Sequence, residues 1–144
     1  MFNEIASVII HRPVEMVYDF MSQPKNRLIY DPDLIDVRHT PDGPLQIGSE
    51  IVEVRGMMGM KNDMVTIVAA LEPNRLISYQ AREGDPVNAF GHYQFESVPE
   101  GTRLTLNFTL APKGLMKIAV PLWSGWLKKN ITKGLQSIKN VLEN

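Results

Sequence analysis

Tyr79 and Tyr93 are the residues of this chain best suited to chemistry on a bound molecule. A tyrosine hydroxyl inside a pocket can orient or protonate a ligand oxygen, and it needs no special environment to act as an orienting group. Arg55, with Glu53 near it, could enter the mouth of such a pocket and bind a carboxylate. An ion pair between Arg55 and Asp63 across a hairpin explains the arginine more simply. The sequence therefore offers orienting groups but no assignable catalytic residue.

The three histidines form no catalytic or metal-binding pattern. His11, His39 and His92 have no partner at a useful spacing, and His92 is predicted on the solvent side of its strand. The chain has no cysteine, no glycine-rich phosphate loop followed by lysine, no Gly-x-Ser-x-Gly elbow and no His-Glu-x-x-His motif. We therefore expect no metal and no cofactor.

A methionine-rich stretch, Gly56-Met57-Met58-Gly59-Met60, occurs where the backbone is expected to reverse direction. Methionine is unbranched and polarizable, so several methionines together can repack around molecules of different shape, while flanking glycines let the backbone move. We interpret the three methionines as a flexible apolar lip beside a ligand cavity. The alternative is a glycine hairpin whose methionines pack on a neighbouring segment or on a second subunit.

The last predicted hairpin can be placed in register from its alternating pattern. If Ser97 faces Thr102, apolar side chains share one face and polar side chains share the other, as a half-buried antiparallel sheet requires. The inward side chains are expected to line the space that a covering helix leaves unfilled, with dense core packing as the alternative. They are Tyr79, Tyr93, Phe95, Leu104, Leu106 and Phe108.

The register of the middle strands is predicted by placing Arg55 opposite Asp63. This register puts one set of side chains on the inner side, namely Val52, Val54, Met64, Thr66, Val68, Ile77 and Tyr79. It leaves Ile51, Val65 and Ile67 on the opposite face. A terminus or a second subunit could cover these three, unless the register is shifted by one residue.

The elements that must position these residues follow from turn and periodicity signals. A strand over Asn3–His11 is followed by Pro13, which suits the first turn of a helix of about three turns. The segment Pro24–Pro32 predicts a second short helix or turn. Regular turn sequences then separate six strands of an antiparallel meander.

The segment after Gly114 predicts a long amphipathic helix of about seven or eight turns, because apolar residues recur at spacings of three and four. Pro121 should remove a backbone hydrogen bond and kink this helix. Leu122, Trp123 and Trp126 follow the proline. The two indole rings are expected to wall a pocket where helix and sheet part, with core packing as the alternative.

Four lysines of this helix lie on faces other than the apolar one: Lys128, Lys129, Lys133 and Lys139. They could touch an anionic membrane during lipid delivery. A solvated helix face is the simpler interpretation, because the patch is short and the net charge is slightly negative.

The composition is that of one globular domain over residues 1–144, with 44% hydrophobic residues and a net charge of -1. We therefore expect no nucleic-acid partner. The absence of cysteine excludes disulfides and fits a reducing compartment. No apolar run is long enough for stable membrane insertion, and we expect a cytoplasmic protein.

Several short motifs occur in the order and at the spacing found in a known superfamily. They are Arg12-Pro13-Val14-Glu15-Met16-Val17-Tyr18-Asp19-Phe20, Tyr30-Asp31-Pro32, Gly43-Pro44 with Gly48, Glu72-Pro73-Asn74-Arg75, Gly101-Thr102-Arg103-Leu104-Thr105, and the helix end with Leu135, Lys139 and Leu142. On these residues the chain resembles the START-like SRPBCC superfamily, and within it the polyketide cyclase/dehydrase-type branch. Tyr30 stands where the family usually has tryptophan.

The resemblance implies an α+β helix-grip fold: a curved antiparallel sheet of about seven strands wrapped around a long C-terminal helix, with two short helices after the first strand. It also implies a deep apolar cavity between sheet and helix, which family members use for lipids, sterols, polyketides, quinones or plant hormones, in some cases with catalysis. A fold shared by many activities defines a container and not a reaction.

We therefore expect the chain to bind or carry a hydrophobic small molecule such as a lipid, a quinone or a polyketide-like compound. One alternative is an enzyme of the cyclase, aromatase or dehydratase type, which needs an ionisable group well inside the cavity. Another is a stress or regulatory module that acts as a homodimer. The expected ligand-binding residues are Met57, Met58, Met60, Tyr79, Tyr93, Phe95, Leu104, Leu106, Phe108, Leu122, Trp123 and Trp126.

Overall fold

The computed structural model describes residues 2–57, 60–82, 87–114 and 116–144. Within these ranges, seven strands form one curved antiparallel sheet, as expected. The strands are β1 Phe2–Ile10, β2 Leu34–Thr40, β3 Glu50–Met57, β4 Met60–Glu72, β5 Leu76–Ala81, β6 Val87–Val98 and β7 Gly101–Pro112. Their order in space is β1, β7, β6, β5, β4, β3, β2, so that β2 to β7 form a meander and β1 closes onto β7.

Two short helices follow β1, which confirms the prediction. The first, α1, spans Val14–Met21 and begins directly after Pro13, a residue that costs no hydrogen bond at a helix start. A 3-10 turn over Pro24–Asn26 then leads into α2, Arg27–Tyr30. These elements cover one end of the sheet.

The long C-terminal helix, α3, spans Met116–Glu143 and contains Pro121 in its second turn. Its C-terminal half docks on the sheet, where Leu135 and Ile138 are buried and the helix contacts β1 and β7. The short helix α2 contacts both β2 and α3. The helix-grip arrangement is therefore confirmed, whereas the kink at Pro121 stays a prediction.

The side of the sheet that packs against α1 and α3 is called the inner face below. Its fully buried side chains come from most of the strands and include Ile10, Val37, Ile51, Val68, Ile77 and Leu104. Full burial of an aliphatic side chain stabilises a fold by about 1.5–3 kcal/mol. This layer, together with the buried residues of α3, forms the main core.

The register predicted for the last hairpin is confirmed, since Ser97 pairs with Thr102 and the inward residues of β6 oppose those of β7. Gly101 begins β7 with a φ of 141°. A Cβ at this position would overlap the backbone oxygen of Ile10. The turn therefore requires glycine, both for its backbone conformation and for the close approach of β1.

The register predicted between β3 and β4 is wrong by one residue. Arg55 pairs with Asn62 instead of Asp63, and Met57 pairs with Met60. The connection is one residue shorter than the predicted register requires. Because side chains alternate along a strand, this shift exchanges the two faces of β3 relative to β4.

The shift brings Glu53 and Arg55 to the inner face beside Ile51, which is fully buried. Val52 and Val54 lie on the outer face instead. The inward placement of Val68, Ile77 and Tyr79 is confirmed by their burial. A half-buried apolar strip remains on the outer face, formed by Val52, Val54, Val65 and Ile67. Dimerisation through this strip stays a prediction.

Candidate functional site

Three ion pairs lie on the inner face between α2 and β3. Arg27 donates from Nη1 to Oε2 of Glu53 at 2.9 Å, and only 14% and 9% of the two side chains are exposed. Nη2 of Arg55 lies 3.3 Å from the other oxygen of Glu53 and 2.9 Å from Oδ2 of Asp31. These four residues are called the ionic cluster below. Its two positive and two negative charges balance, which is what makes burial of charged groups tolerable.

Tyr79 packs directly against this cluster, and Tyr93 packs on Tyr79. The Cζ atom of Arg27 lies 4.8 Å from the centre of the Tyr79 ring, within cation–π distance. The rings of Tyr79 and Tyr93 meet edge to face with their centres 6.2 Å apart. Burial alone lowers the pKa of Arg27, but its electrostatic interactions with Tyr79 and Glu53 outweigh burial and raise it. The guanidinium is therefore a permanent cation in this site.

The other two tyrosines of the chain lie at the same end of the inner face. The ring of Tyr30 packs on Phe20 at 6.1 Å, and the ring of Tyr18 packs edge to face on Phe95 at 5.2 Å. Tyr30 ends α2, the helix that begins with Arg27. The single helical turn of α2 thus positions both the guanidinium of Arg27 and the phenol of Tyr30 in the site.

Burial raises the pKa of three phenols, those of Tyr18, Tyr30 and Tyr93. Burial raises the pKa of Tyr93 to about 12, although Arg27 acts in the opposite direction. Burial also raises the pKa of Tyr30 well above its ordinary value, and it raises the pKa of Tyr18. At physiological pH these hydroxyls are therefore protonated and can donate hydrogen bonds.

Several polar groups of the site have no protein partner. The hydroxyls of Tyr30, Tyr79 and Tyr93 form no hydrogen bond with any other residue of the described ranges. Oγ1 of Thr66, on the inner face of β4, is buried and equally unpartnered within those ranges. A buried hydroxyl without a partner, such as that of Thr66, costs free energy, so it commonly marks a place that a ligand or water completes. The arrangement can bind an oxygen-bearing molecule through neutral donors next to a cation.

A cleft of about 600 Å³ borders Tyr18, between α1, the 3-10 turn and the connection from β2 to β3. Its walls include Tyr18, His39 and Leu71. Tyr18 joins the cleft to the inner face, because the same ring packs on Phe95. This volume lies within the range typical of sites for small molecules.

The six site residues predicted on the central strands all lie on the inner face: Tyr79, Tyr93, Phe95, Leu104, Leu106 and Phe108. Tyr79 and Tyr93 reach the ionic cluster, while Leu104 is fully buried in the core. The structure therefore brings the two predicted orienting tyrosines together. A ligand-lining role for all six stays a prediction.

The predicted methionine lip lies only partly within the described residues. Met57 and Met60 end the paired part of β3 and β4, and Met58 lies outside the described residues. A further methionine, Met64, stands opposite Glu53 on the inner face and is 51% exposed. The role of the lip stays a prediction.

The three residues predicted on the terminal helix lie apart from the tyrosines. Leu122, Trp123 and Trp126 are exposed to 80%, 50% and 63%. They leave much of their apolar surface uncovered in the described structure. Their contact with a ligand likewise stays a prediction.

The sequence did not point to Arg27 or Thr66, and it paired Arg55 with the wrong carboxylate. The predicted ion pair with Asp63 is wrong, because Asp63 lies opposite Val54 on the outer face, whereas Arg55 binds Asp31. The missed signal was the spacing of Arg27, Tyr30 and Asp31. Residues three and four apart lie on one side of a helical turn.

Residues 5–143 match the family described as polyketide cyclase/dehydrase and lipid transport. A comparison with curated proteins gave no match. The crystal structure of TTHA0849 from Thermus thermophilus is similar with a TM-score of 0.79 and 17% identity, covering 98% of this chain and 97% of that chain. The di-domain ARO/CYC BexL from the BE-7585A biosynthetic pathway is similar with a TM-score of 0.78 and 18% identity, covering 97% of this chain and 46% of that chain.

At these identities the solved structures show the shared fold alone. The family match covers nearly the whole length of the chain, and the seven-stranded sheet with its C-terminal helix agrees with it. The chain therefore belongs to the polyketide cyclase/dehydrase and lipid transport family, in the polyketide cyclase-type branch of the START-like SRPBCC superfamily.

Proposed function

We propose that this chain binds a hydrophobic small molecule that carries at least one carbonyl or similar oxygen, such as a lipid, a quinone or a polyketide-like compound. The apolar part lies along the inner face, where burial contributes about 25 cal/mol per Å². The oxygen lies at the ionic cluster and accepts hydrogen bonds from the phenols. The family description, which includes lipid transport, supports this class of ligand.

The observation that carries the proposal is the set of unpartnered donors beside a buried cation. The hydroxyls of Tyr79 and Tyr93 lack partners among the described residues, and the charged Arg27 stacks on one of the two rings. A purely structural core would gain stability by replacing these groups with apolar ones. A site for an oxygen-bearing ligand explains why they are retained.

The first experiment is native mass spectrometry of the freshly purified chain. A co-purified hydrophobic molecule that carries a carbonyl supports the proposal and identifies the ligand class. The second experiment measures binding of decylbenzoquinone by displacement of a fluorescent apolar probe, a readout that does not depend on quenching by the quinone. Decylbenzene, which has the same tail and no oxygen, is the matched control.

The variant Tyr93→Phe separates the polar contribution from the apolar one. We expect it to weaken decylbenzoquinone binding about two- to tenfold, the value of one hydrogen bond, and to leave decylbenzene binding unchanged. An equal loss for both compounds would mean that Tyr93 only shapes the cavity. Unchanged binding of both would remove the proposed role of its hydroxyl.

A reaction of the cyclase or dehydratase type is a second candidate, favoured by Glu53. This carboxylate is 6% exposed, which meets the requirement for an ionisable group well inside the site. The phenols and Arg27 would polarise a ligand carbonyl, the adjacent C–H bond would break, and Glu53 would accept the proton. Similarity to the ARO/CYC proteins StfQ and BexL supports this candidate at the level of the fold.

Hydrogen–deuterium exchange at the central carbon of a hydrophobic β-diketone tests the second candidate. NMR in D₂O should show exchange accelerated by the chain and lost in Glu53→Gln, with binding of the diketone retained. Exchange at the uncatalysed rate, with binding intact, would exclude this proton transfer. The first candidate, binding without catalysis, would then remain.

A further inference from the structure

The N-terminal half of α3 exposes four large apolar side chains. Ile118, Leu122, Trp123 and Trp126 are exposed to 70%, 80%, 50% and 63%. Three of them recur every four residues and therefore form one stripe along the helix, while Trp123 flanks it. Leu122 is two and a half turns from Ile131, which packs against the core, so the stripe points away from the sheet.

Along the sequence, the charged residues around this stripe are of one sign, whereas in the fold Glu4 of β1 lies beside Lys128. Residues 101–142 contain seven lysine or arginine residues and no aspartate or glutamate. The rest of the chain carries eight basic and sixteen acidic residues. A net charge near zero therefore conceals a strongly basic C-terminal segment beside an acidic remainder.

Lysines continue the stripe along the helix. Lys129 and Lys133 follow Trp126 on the same side and line an open groove of about 710 Å³ with Lys128. Lys128 lies 3.6 Å from Glu4, but Lys129 and Lys133 have no ion-pair partner within the described ranges. The same holds for two exposed lysines before the stripe, Lys113 and Lys117.

We propose that this stripe and its lysines form a surface that docks reversibly onto an anionic lipid bilayer. The apolar residues from Ile118 to Trp126 span about 12 Å of helix and would lie among the headgroups and upper acyl chains. Tryptophan favours this interfacial depth, and lysine favours anionic lipid. Among the described residues, no helix is long and apolar enough to cross a bilayer.

The charges favour a bilayer over a second copy of the chain. A symmetric dimer through this face would bring the unpaired Lys129 and Lys133 of both copies together, where they repel. An anionic surface instead attracts the basic segment and repels the acidic remainder, which orients the molecule with α3 towards the lipid. The surface depends on exposure and charge alone, so it stands independently of the proposed ligand.

Trp123 and Trp126 are the two tryptophans of the chain, so their fluorescence reports on this surface directly. The full chain is titrated with vesicles of phosphatidylcholine alone or with 30% phosphatidylglycerol. We expect a blue shift with the anionic vesicles, quenching by lipids brominated on the upper acyl chain, and reversal by about 0.5 M salt, where screening is strong.

Matched variants separate the apolar and basic contributions. Ile118→Ser with Leu122→Ser should lower the partition coefficient at least about tenfold, because each side chain loses its burial in lipid. The control, Ile5→Ser with Ile47→Ser, removes two side chains that are exposed to 60% and 67% elsewhere and should change nothing. Equal melting temperatures would show that all these variants fold.

The charge variant is Lys129→Glu with Lys133→Glu. Each lysine lost should weaken binding to anionic vesicles about fivefold, so the double variant should bind at least about 25-fold more weakly. Its control, Lys25→Glu with Arg38→Glu, makes the same change at side chains exposed to 62% and 61% and should bind as the parent does.

The outcomes are distinct. Loss of vesicle binding in the α3 variants alone supports docking. No spectral shift with anionic vesicles, or an equal loss in the control variants, overturns it. A blue shift that grows with protein concentration in the absence of vesicles would assign the surface to self-association and overturn it as well.

Discussion

Glu53 is the residue whose replacement should expose the energetics of the ionic cluster most clearly. It accepts hydrogen bonds from Arg27 and from Arg55, and it is one of the few buried charged residues of the described structure. The perturbation is Glu53→Leu, which keeps the side-chain volume and removes the charge. Arg27 then remains buried with no carboxylate in contact, whereas Arg55 retains Asp31.

The expected cost is about 3–5 kcal/mol, the value for breaking a buried ion pair by removing one partner. The matched variant Asp31→Ala should cost about 1–2 kcal/mol, since Arg55 is 31% exposed and keeps Glu53. The difference between the two losses in unfolding free energy therefore measures the cost of leaving Arg27 without a carboxylate partner. In a chain of this length, the larger cost corresponds to a melting temperature lower by about 10 °C or more.

The double variant Glu53→Leu with Arg27→Met completes the test. Removing both charges leaves no unpaired ion, so stability should recover most of the loss. Urea unfolding followed by circular dichroism gives the free energies, with an unchanged slope showing that the unfolded states are comparable. A double variant as unstable as Glu53→Leu alone, or an Asp31→Ala cost equal to that of Glu53→Leu, would refute the reasoning.

Three further outcomes follow from single groups. Because burial raises the pKa of Tyr93 from 10.0 to about 12, its contribution to stability is complete below pH 10 and is lost as the pH rises towards 12; absorbance at 295 nm should show several late phenols, of which Tyr93→Phe removes one. Gly101→Ala should destabilise the fold by about 1–3 kcal/mol more than Gly43→Ala in urea unfolding, because both positions have positive φ but only the first would clash with backbone. Hydrogen bonds from Lys139 and from a backbone N–H lower the pKa of Glu143, so its stabilisation is present above its ordinary pKa of 4.5 and is lost as the pH falls below it; the protection factors of amides at the end of α3, relative to their intrinsic exchange rates, should fall there.

The parts of the fold that were predictable are those where one pattern dominates. In β6 and β7, apolar and polar residues alternate strictly, and a single register satisfies both strands. The three- and four-residue spacing likewise predicted the long amphipathic helix α3, in which Leu135 and Ile138 are buried. Pro13 and Gly101 marked the boundaries of their elements for local reasons that need no tertiary information.

The register of β3 was not predictable, because both of its faces carry valine or isoleucine. Ile51 on one side and Val52 on the other are equally apolar, so alternation could not choose between them. The register of β3 is instead determined by the length of the methionine-rich connection and by the packing of Glu53 against Arg27. That contact joins residues 26 positions apart and has no local signature.

The candidate site was half predictable for the same reason. Tyr79 and Tyr93 follow from strand alternation, whereas Arg27 depends on how α2 folds across the sheet. The apolar residues of the first half of α3 also fit an amphipathic pattern. This pattern indicates that they pack against another apolar surface, but it does not identify that surface. The structure leaves Leu122 and Trp126 without one among the described residues.

The pairing of β1 with β7 has a consequence for how the protein is made. Ile10 finds its neighbour Thr102 only after roughly ninety further residues have been added, which takes on the order of 5–20 s at ordinary rates of translation. During that interval the apolar strand is without its native neighbour, and long-range pairing of this kind is slow. During synthesis, β1 therefore cannot form its native pairing until the last strand has been made.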